Sequence, residues 1–241
     1  MEKAILKTLA YADIFDYPLT IFEIHKWLIG PPAGRAGKKA TLRQIEKELK
    51  KLRIKYRVSS IKGYYCLPKS TNLVSKRKRR EKQSASYFKK AKVLVQILKV
   101  IPWIKLVGIS GGLAMENAEK GDDIDLFLIT SKNRLWLSRI LALGLLSLTG
   151  QRRKAGEKGG KIAGKLCLNI LLEEDQLEQS SKDIYLAHEV LQMQVLWQRD
   201  GLYGKYLKDN NWAFKFLPNW VSQYQVSNIK YYGKDSNTFL D

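Results

Sequence analysis

Apolar residues in the first hundred positions recur at helical spacing, whereas those from position 104 onward fall into short continuous runs, so helices come first and a sheet follows. Ile5, Leu6 and Leu9 mark one face of a helix over 2–12. Thr20 followed three residues later by Glu23 forms a capping box, which opens a second helix running to Leu28. The Gly/Pro-rich stretch 30–39, GPPAGRAGKK, separates it from a third helix. That helix starts on the Thr41/Gln44 box and buries Leu42, Ile45, Leu49 and Leu52. Arg57-Val58 and Tyr64–Leu67, on either side of Lys62-Gly63, predict two short strands and a turn.

Beyond residue 70 the pattern predicts one long helix over 70–101, begun at Ser70-Thr71-Asn72 and ended by Pro102, with Tyr87, Ala91, Leu94 and Leu98 on its apolar side. Strands over 104–109 and 124–129 flank a short helix at 113–118. A helix over 133–148, a strand over 165–172 and a helix over 183–197 follow, the last with Ile184, Ala187, Leu191 and Leu196 inward and with further helix to 207. The implied fold class is α+β: a small helical unit with a hairpin, then a mixed sheet flanked by helices, then a helical C-terminal part. Its divisions fall at 1–69, 70–101 and 102–241. Trp212, Phe214, Phe216, Trp220 and Tyr224 are expected to close a core, and the polar tail 234–241 to be loose.

Charge is distributed unevenly along this layout. Residues 1–100 hold 25 Lys/Arg against 7 Asp/Glu, or +18 of the chain's +20, and the other 141 residues hold 18 against 16. Such a concentration points to a phosphate-bearing partner. Arg43, Lys47, Lys50 and Lys51 share the polar face of the third helix, and three helices followed by a hairpin is the order of a winged helix. These four are the candidate nucleic-acid contacts, with protein docking as the other use of such a module. Lys76, Arg77, Lys78, Arg79 and Arg80 open the long helix, as a solvated face or as a ridge that steers phosphates. The basic, glycine-rich segment 151–165 is expected to be a flexible loop or a lid. The apolar run 135–149 is too short to span a bilayer and carries Arg139, so a buried helix and no membrane partner are expected. Cys66 and Cys167 are expected to be buried free thiols, which with no signal peptide suits a reducing cytoplasm. His25 and His188 are expected to pack rather than to ligate.

The chemistry concentrates in LVGISGGLAMENAEKGDDIDLFLIT. Gly111-Gly112 at a strand-to-helix turn lets backbone approach a phosphate closely. Asp123 and Asp125, two apart on a strand, project to one side, and a divalent cation relieves their mutual repulsion. Hard oxygen ligands in that number suit Mg²⁺, which takes its other ligands from water and substrate phosphates. The pattern of a hydrophobic residue, Gly-Gly, ten residues and Asp-Ile-Asp resembles the nucleotidyltransferase superfamily of DNA polymerase beta type, over roughly 100–175. Together with the winged-helix order, the chain resembles a little-characterised bacterial group that joins the two modules.

The resemblance implies that Asp123 and Asp125 are catalytic and hold Mg²⁺, and that Ser110, Gly111 and Gly112 position a nucleoside triphosphate. A nucleoside monophosphate would then pass to a hydroxyl acceptor on a protein, a small molecule or an RNA. Gly112 stands where many relatives carry Ser. The resemblance also implies a third carboxylate on the strand 165–172, where this chain has Asn169, with Glu173 and Glu174 only at the strand's end. Either Glu173 reaches in, or two acids suffice, or the fold is catalytically degenerate. The last case would describe a DNA-binding regulator or a member of a toxin–antitoxin-type pair, with a protein partner.

Overall fold

The computed structural model describes residues 1–30, 39–68 and 72–220. The expectations for the loop at 30–39, the helix start at Ser70-Thr71, Tyr224 and the tail lie wholly or largely outside these residues. No helix among the described residues is long and apolar enough to cross a membrane.

The chain opens with α1 (Glu2–Asp13), β1 (Leu19–Thr20), α2 (Ile21–Lys26), α3 (Leu42–Ile54), β2 (Ser59–Ile61) and β3 (Tyr64–Cys66). Both capping boxes form as the spacing predicts: Thr20 with Glu23 starts α2, and Thr41 with Gln44 starts α3. The three strands pair antiparallel in the order β1-β3-β2, with β1 an addition that two residues could not announce. Ile5, Leu9, Ile24, Leu28, Ile45, Leu49 and Leu52 fill the core beneath them. Leu42 does not join it and stays exposed at the first turn of α3.

A 26-residue helix, α4 (Leu73–Leu98), leads to the second sheet, with Tyr87, Ala91, Leu94 and Leu98 buried as expected. Its basic first half is neither a solvated face nor a free ridge. Arg77 and Arg80 are buried, and only Lys78 and Arg79 of the five basic residues are fully exposed. Arg77 donates to Glu23 Oε1 (2.6 Å), Glu81 Oε1 (2.7 Å) and the Pro18 carbonyl (2.6 Å), and its guanidinium lies over the Tyr17 ring at 3.9 Å. Arg80 reaches Glu119, Asn117 and the Phe15 carbonyl. A buried guanidinium persists only when its donors are satisfied and its charge is paired, and both conditions are met here.

The second sheet holds β4 (Ile104–Ile109), β5 (Ile124–Thr130), β6 (Leu166–Glu173) and β7 (Gln194–Gln198) in the order β6-β5-β4-β7. β5 pairs parallel with β6, and β4 pairs antiparallel with β5 and β7. Between the strands lie α5 (Gly111–Ala114), α6 (Leu135–Leu148) and α7 (Ile184–Gln192), and α8 (Leu202–Asp209) and α9 (Ala213–Phe216) follow β7. A single 3₁₀ turn occupies Gly159–Lys161. Alternation along β5 sends Ile124, Leu126 and Leu128 toward α4 and α6, and Phe127 and Ile129 toward α7, α8 and α9. Trp212, Trp220 and their neighbours close this second layer, as expected.

Two helices depart from the pattern. Residues 194–198 continue neither the period nor the helix of α7, because Met193 turns extended (ψ 128°) and QVLWQ pairs along the open edge of β4. An edge left bare would present unpaired backbone groups, and a β-branched and aromatic segment covers it well. α6 is the second departure, since it is far from fully buried. Only Ser138, Ala142 and Leu146 turn fully inward, while Trp136, Ile140 and Leu148 are exposed.

Candidate active site

The glycine pair closes β4 and opens α5, a single turn rather than the longer helix expected at 113–118. Gly111 sits at φ +63°, and a Cβ built there would stand 3.0 Å from Asp125 Oδ2. Any side chain would therefore both strain the backbone and crowd the carboxylate. Gly112 is exposed and meets nothing closer than the Asn117 carbonyl at 3.8 Å, so backbone is open to a ligand at this point. Ser110 donates its backbone N–H to the Asp125 carbonyl at 3.0 Å. Its hydroxyl is buried, with no hydrogen-bond partner among the described residues.

Asp123 and Asp125 come together as the two-residue spacing requires. Their carboxylates lie within 4.8 Å of each other and of the Cys167 Sγ. Burial and the charge of Asp123 push the Asp125 carboxyl up to about 6, against the smaller opposing pull of Arg153. Arg153 donates to Asp123 Oδ2 at 2.6 Å, so the segment 151–165 folds back over the acids. It is anchored there by Gly164, which donates to the Asp122 carbonyl at 2.7 Å and packs where a Cβ would meet the Tyr87 ring at 2.9 Å.

The third position beside the acids belongs to Cys167. Parallel pairing sets Asp125 opposite Cys167, and a register shift between Leu126 and Phe127 then leaves Asn169 outside the pairing and exposed. This bulge turns Ile170 and Leu172 toward the α7 layer, where an unbroken strand would have placed Asn169. Cys167 is accordingly half-buried at the site rather than a core thiol, while Cys66 is buried as expected. Its thiol is pushed up by burial and by both aspartates, which keeps it protonated. Glu173 does not reach in. It pairs with Thr130 at the far end of the strand and accepts the Leu135 N–H at 3.3 Å, at the start of α6.

One acid at the site escaped the linear pattern. Glu189 projects from α7 and accepts the Gly111 N–H, and Gln192 donates to it from one turn on. Burial raises its carboxyl, the Gly111 N–H pulls the other way, and Asp125 adds to the rise. On a helix read as amphipathic, position 189 looks like surface, and only the docking of α7 over α5 makes it part of the site. His188 next to it is buried, as packing predicts, and stacks between Tyr11 (4.1 Å) and Trp27 (5.1 Å).

The loop between the glycines and the aspartates is held by the N-terminal elements. Tyr17 Oη donates to the Met115 carbonyl (2.6 Å), Asn117 Nδ2 to the Phe15 carbonyl (3.1 Å), and Tyr87 Oη to the Lys120 carbonyl (2.6 Å). Ser84 Oγ accepts the Ala118 N–H at 3.0 Å.

Arg43, Lys47, Lys50 and Lys51 all lie exposed on α3. Lys50 pairs with Glu46 at 3.0 Å and Lys51 with Glu48 at 3.6 Å, which tempers the basic face without burying it.

No family model matches the chain, and no curated protein matches it. Among solved structures it is similar to a Sulfolobus solfataricus protein described as a candidate nucleotidyltransferase. The two share 17% identity over 56% of this chain and 94% of that one, with a TM-score of 0.28.

Proposed function

We propose that this protein is a Mg²⁺-dependent nucleotidyltransferase that moves a nucleoside monophosphate from a nucleoside triphosphate to a hydroxyl acceptor. The observation that carries this reading is the convergence of Asp123 and Asp125 within 4.8 Å, directly beside a glycine whose missing side chain leaves room for Asp125. Two half-buried carboxylates fit Mg²⁺ as a donor set. The protonated Cys167 thiol, a soft and neutral group, adds little for that ion. Bound there, Mg²⁺ would neutralise triphosphate charge and polarise the phosphorus under attack. Asp123 and Asp125 hold it. Gly112 lets the phosphates approach backbone, and Gly111 keeps Asp125 in place. Arg153 balances the charge of Asp123, and its guanidinium is of a kind that also pairs with phosphate oxygens.

The test is a screen of all four α-labelled triphosphates with Mg²⁺, offering protein, transfer RNA and small alcohols as acceptors. A labelled product is expected. Its absence across the whole set would favour a nucleotide-sensing or partner-holding protein instead.

The N-terminal elements support a second part of the reading, a winged helix that contacts nucleic acid through α3. Arg43, Lys47, Lys50 and Lys51 form an exposed cationic face there, within the part of the chain that carries +18. Replacing all four with Ala is expected to weaken duplex binding at least tenfold at moderate salt and to flatten the slope of log K against log salt by about 2–4. An unchanged slope would assign α3 to protein docking.

A further inference from the structure

A cavity of about 150 Å³ lies where α1 and α2 meet α5 and α7. Its walls are aromatic. Tyr17 and Trp27 are buried along it, Tyr11 is half-buried, and Phe15 and Tyr185 stand partly open to solvent. Gly111, Gly112, Glu189 and Gln192 border the same space, so it adjoins the glycine turn beside the aspartates. We propose that this cavity is the acceptor pocket, that it takes a single six-membered ring bearing a hydroxyl, and that Glu189 receives the proton of that hydroxyl.

Three observations support the assignment, which rests on the nucleotidyltransferase reading. Size is the first: a cavity of roughly this volume holds one benzene-sized ring, and flat aromatic walls favour a flat or ring-shaped guest. Position is the second. Gly111 borders the cavity on one side, and on the other its Cα faces Asp125, so a hydroxyl placed against Glu189 is one residue's breadth from the metal-binding carboxylates. The third is an unsatisfied polar atom. His188 lines the cavity, and its Nε2 has no hydrogen-bond partner among the described residues although the residue is only 4% exposed. Buried polar atoms are normally paired, and a guest bearing hydroxyl groups would supply what the protein does not.

Glu189 also meets the demands on a base. No cationic side chain pairs with it among the described residues, and burial and the nearby Asp125 raise its affinity for a proton. In the reaction the acceptor oxygen forms a bond to the α-phosphorus. The bond from that phosphorus to the oxygen bridging toward the β-phosphate breaks, and pyrophosphate leaves with the electron pair. The hydroxyl proton passes to Glu189 and from there to solvent.

The chain has two histidines, so ¹³C-histidine labelling leaves two signals, and a His25→Gln variant assigns that of His188. Phenol titrated into the full chain, without nucleotide, is expected to shift the His188 imidazole saturably. No saturable shift, or a shift caused by nucleosides and not by phenol, would overturn the pocket assignment. In transfer from labelled triphosphate to phenol or methyl glucoside, Glu189→Gln should lower kcat about 100-fold or more, with KM for the triphosphate within about threefold. Unchanged kcat would remove Glu189 from the mechanism, and transfer only to an RNA end would overturn the ring acceptor. If the wild type failed to bind Mg²⁺-triphosphate at all, the nucleotidyltransferase reading and the role of Glu189 would fall together, whereas the phenol titration would still decide the pocket.

Discussion

Asp125→Asn is expected to lower transfer at least about 10³-fold and, in the same protein stripped of metal by chelator, to raise stability at pH 7. The loss follows from removing one of the two anionic ligands proposed for the metal, since a bound metal would contribute several kcal/mol to transition-state charge and each 1.36 kcal/mol is tenfold in rate. The gain in stability follows from the cause of the raised Asp125 pKa. Burial and Asp123 lift it from 3.8 to about 6, so the folded state favours the protonated form. That preference stabilises fully below the unfolded value of 3.8 and is lost as pH rises through about 6. At pH 7 the ionised side chain therefore costs the fold on the order of 2–3 kcal/mol, a cost that Asn does not carry. Urea melts of both proteins in chelator should diverge at pH 7 and converge near pH 4. Equal stability at pH 7 would mean that the two carboxylates are not in electrostatic conflict. Asp123→Asn should share the loss of activity but not the gain, because it leaves the guanidinium of Arg153 without its 2.6 Å partner.

Arg77→Met is expected to be the most damaging change away from the site, at about 3–5 kcal/mol, because it leaves Glu23 largely buried without its counter-charge. Burial alone would push the Glu23 carboxyl up, but the hydrogen bonds and charge of Arg77 and the donors of Thr20 outweigh it and hold the carboxyl low. A lowered folded value contributes stability above the unfolded value of 4.5, and that contribution is lost as pH falls through the folded one. The gap between wild type and Arg77→Met should therefore narrow in acid. Denaturant midpoints at constant m-value measure the loss, and a cycle with Glu23→Gln should show strong coupling, with the double variant recovering part of the deficit. Additive effects would mean that Arg77 acts through Glu81, the Pro18 carbonyl and the Tyr17 ring rather than through Glu23.

What could be read along the chain and what could not divide along physical lines. Caps, strand alternation and the glycine–aspartate spacing depend on residues within a turn or two of each other, and α1, α3, β4 and β5 formed close to where they were expected. The neighbours of Asp125 depend on register and docking. Pairing with β6 set Cys167 opposite Asp125, a bulge left Asn169 out of the pairing, and the seating of α7 brought in Glu189. Charge misled for a related reason. Counting Lys and Arg cannot separate cations that face solvent from Arg77 and Arg80, whose charges are spent inside the fold on Glu23, Glu81 and Glu119.

The ten residues between Gly112 and Asp123 are clasped from outside: Tyr17 holds the Met115 carbonyl, and Arg80 holds Asn117 and Glu119. In sequence drift this makes the length of that interval a shared property of three distant stretches rather than a free loop. An insertion there would unseat Tyr17 and Arg80 together. Substitutions at position 80 are expected to travel with substitutions at 117 and 119, so a set of relatives should show position 80 changing in step with a motif it does not border.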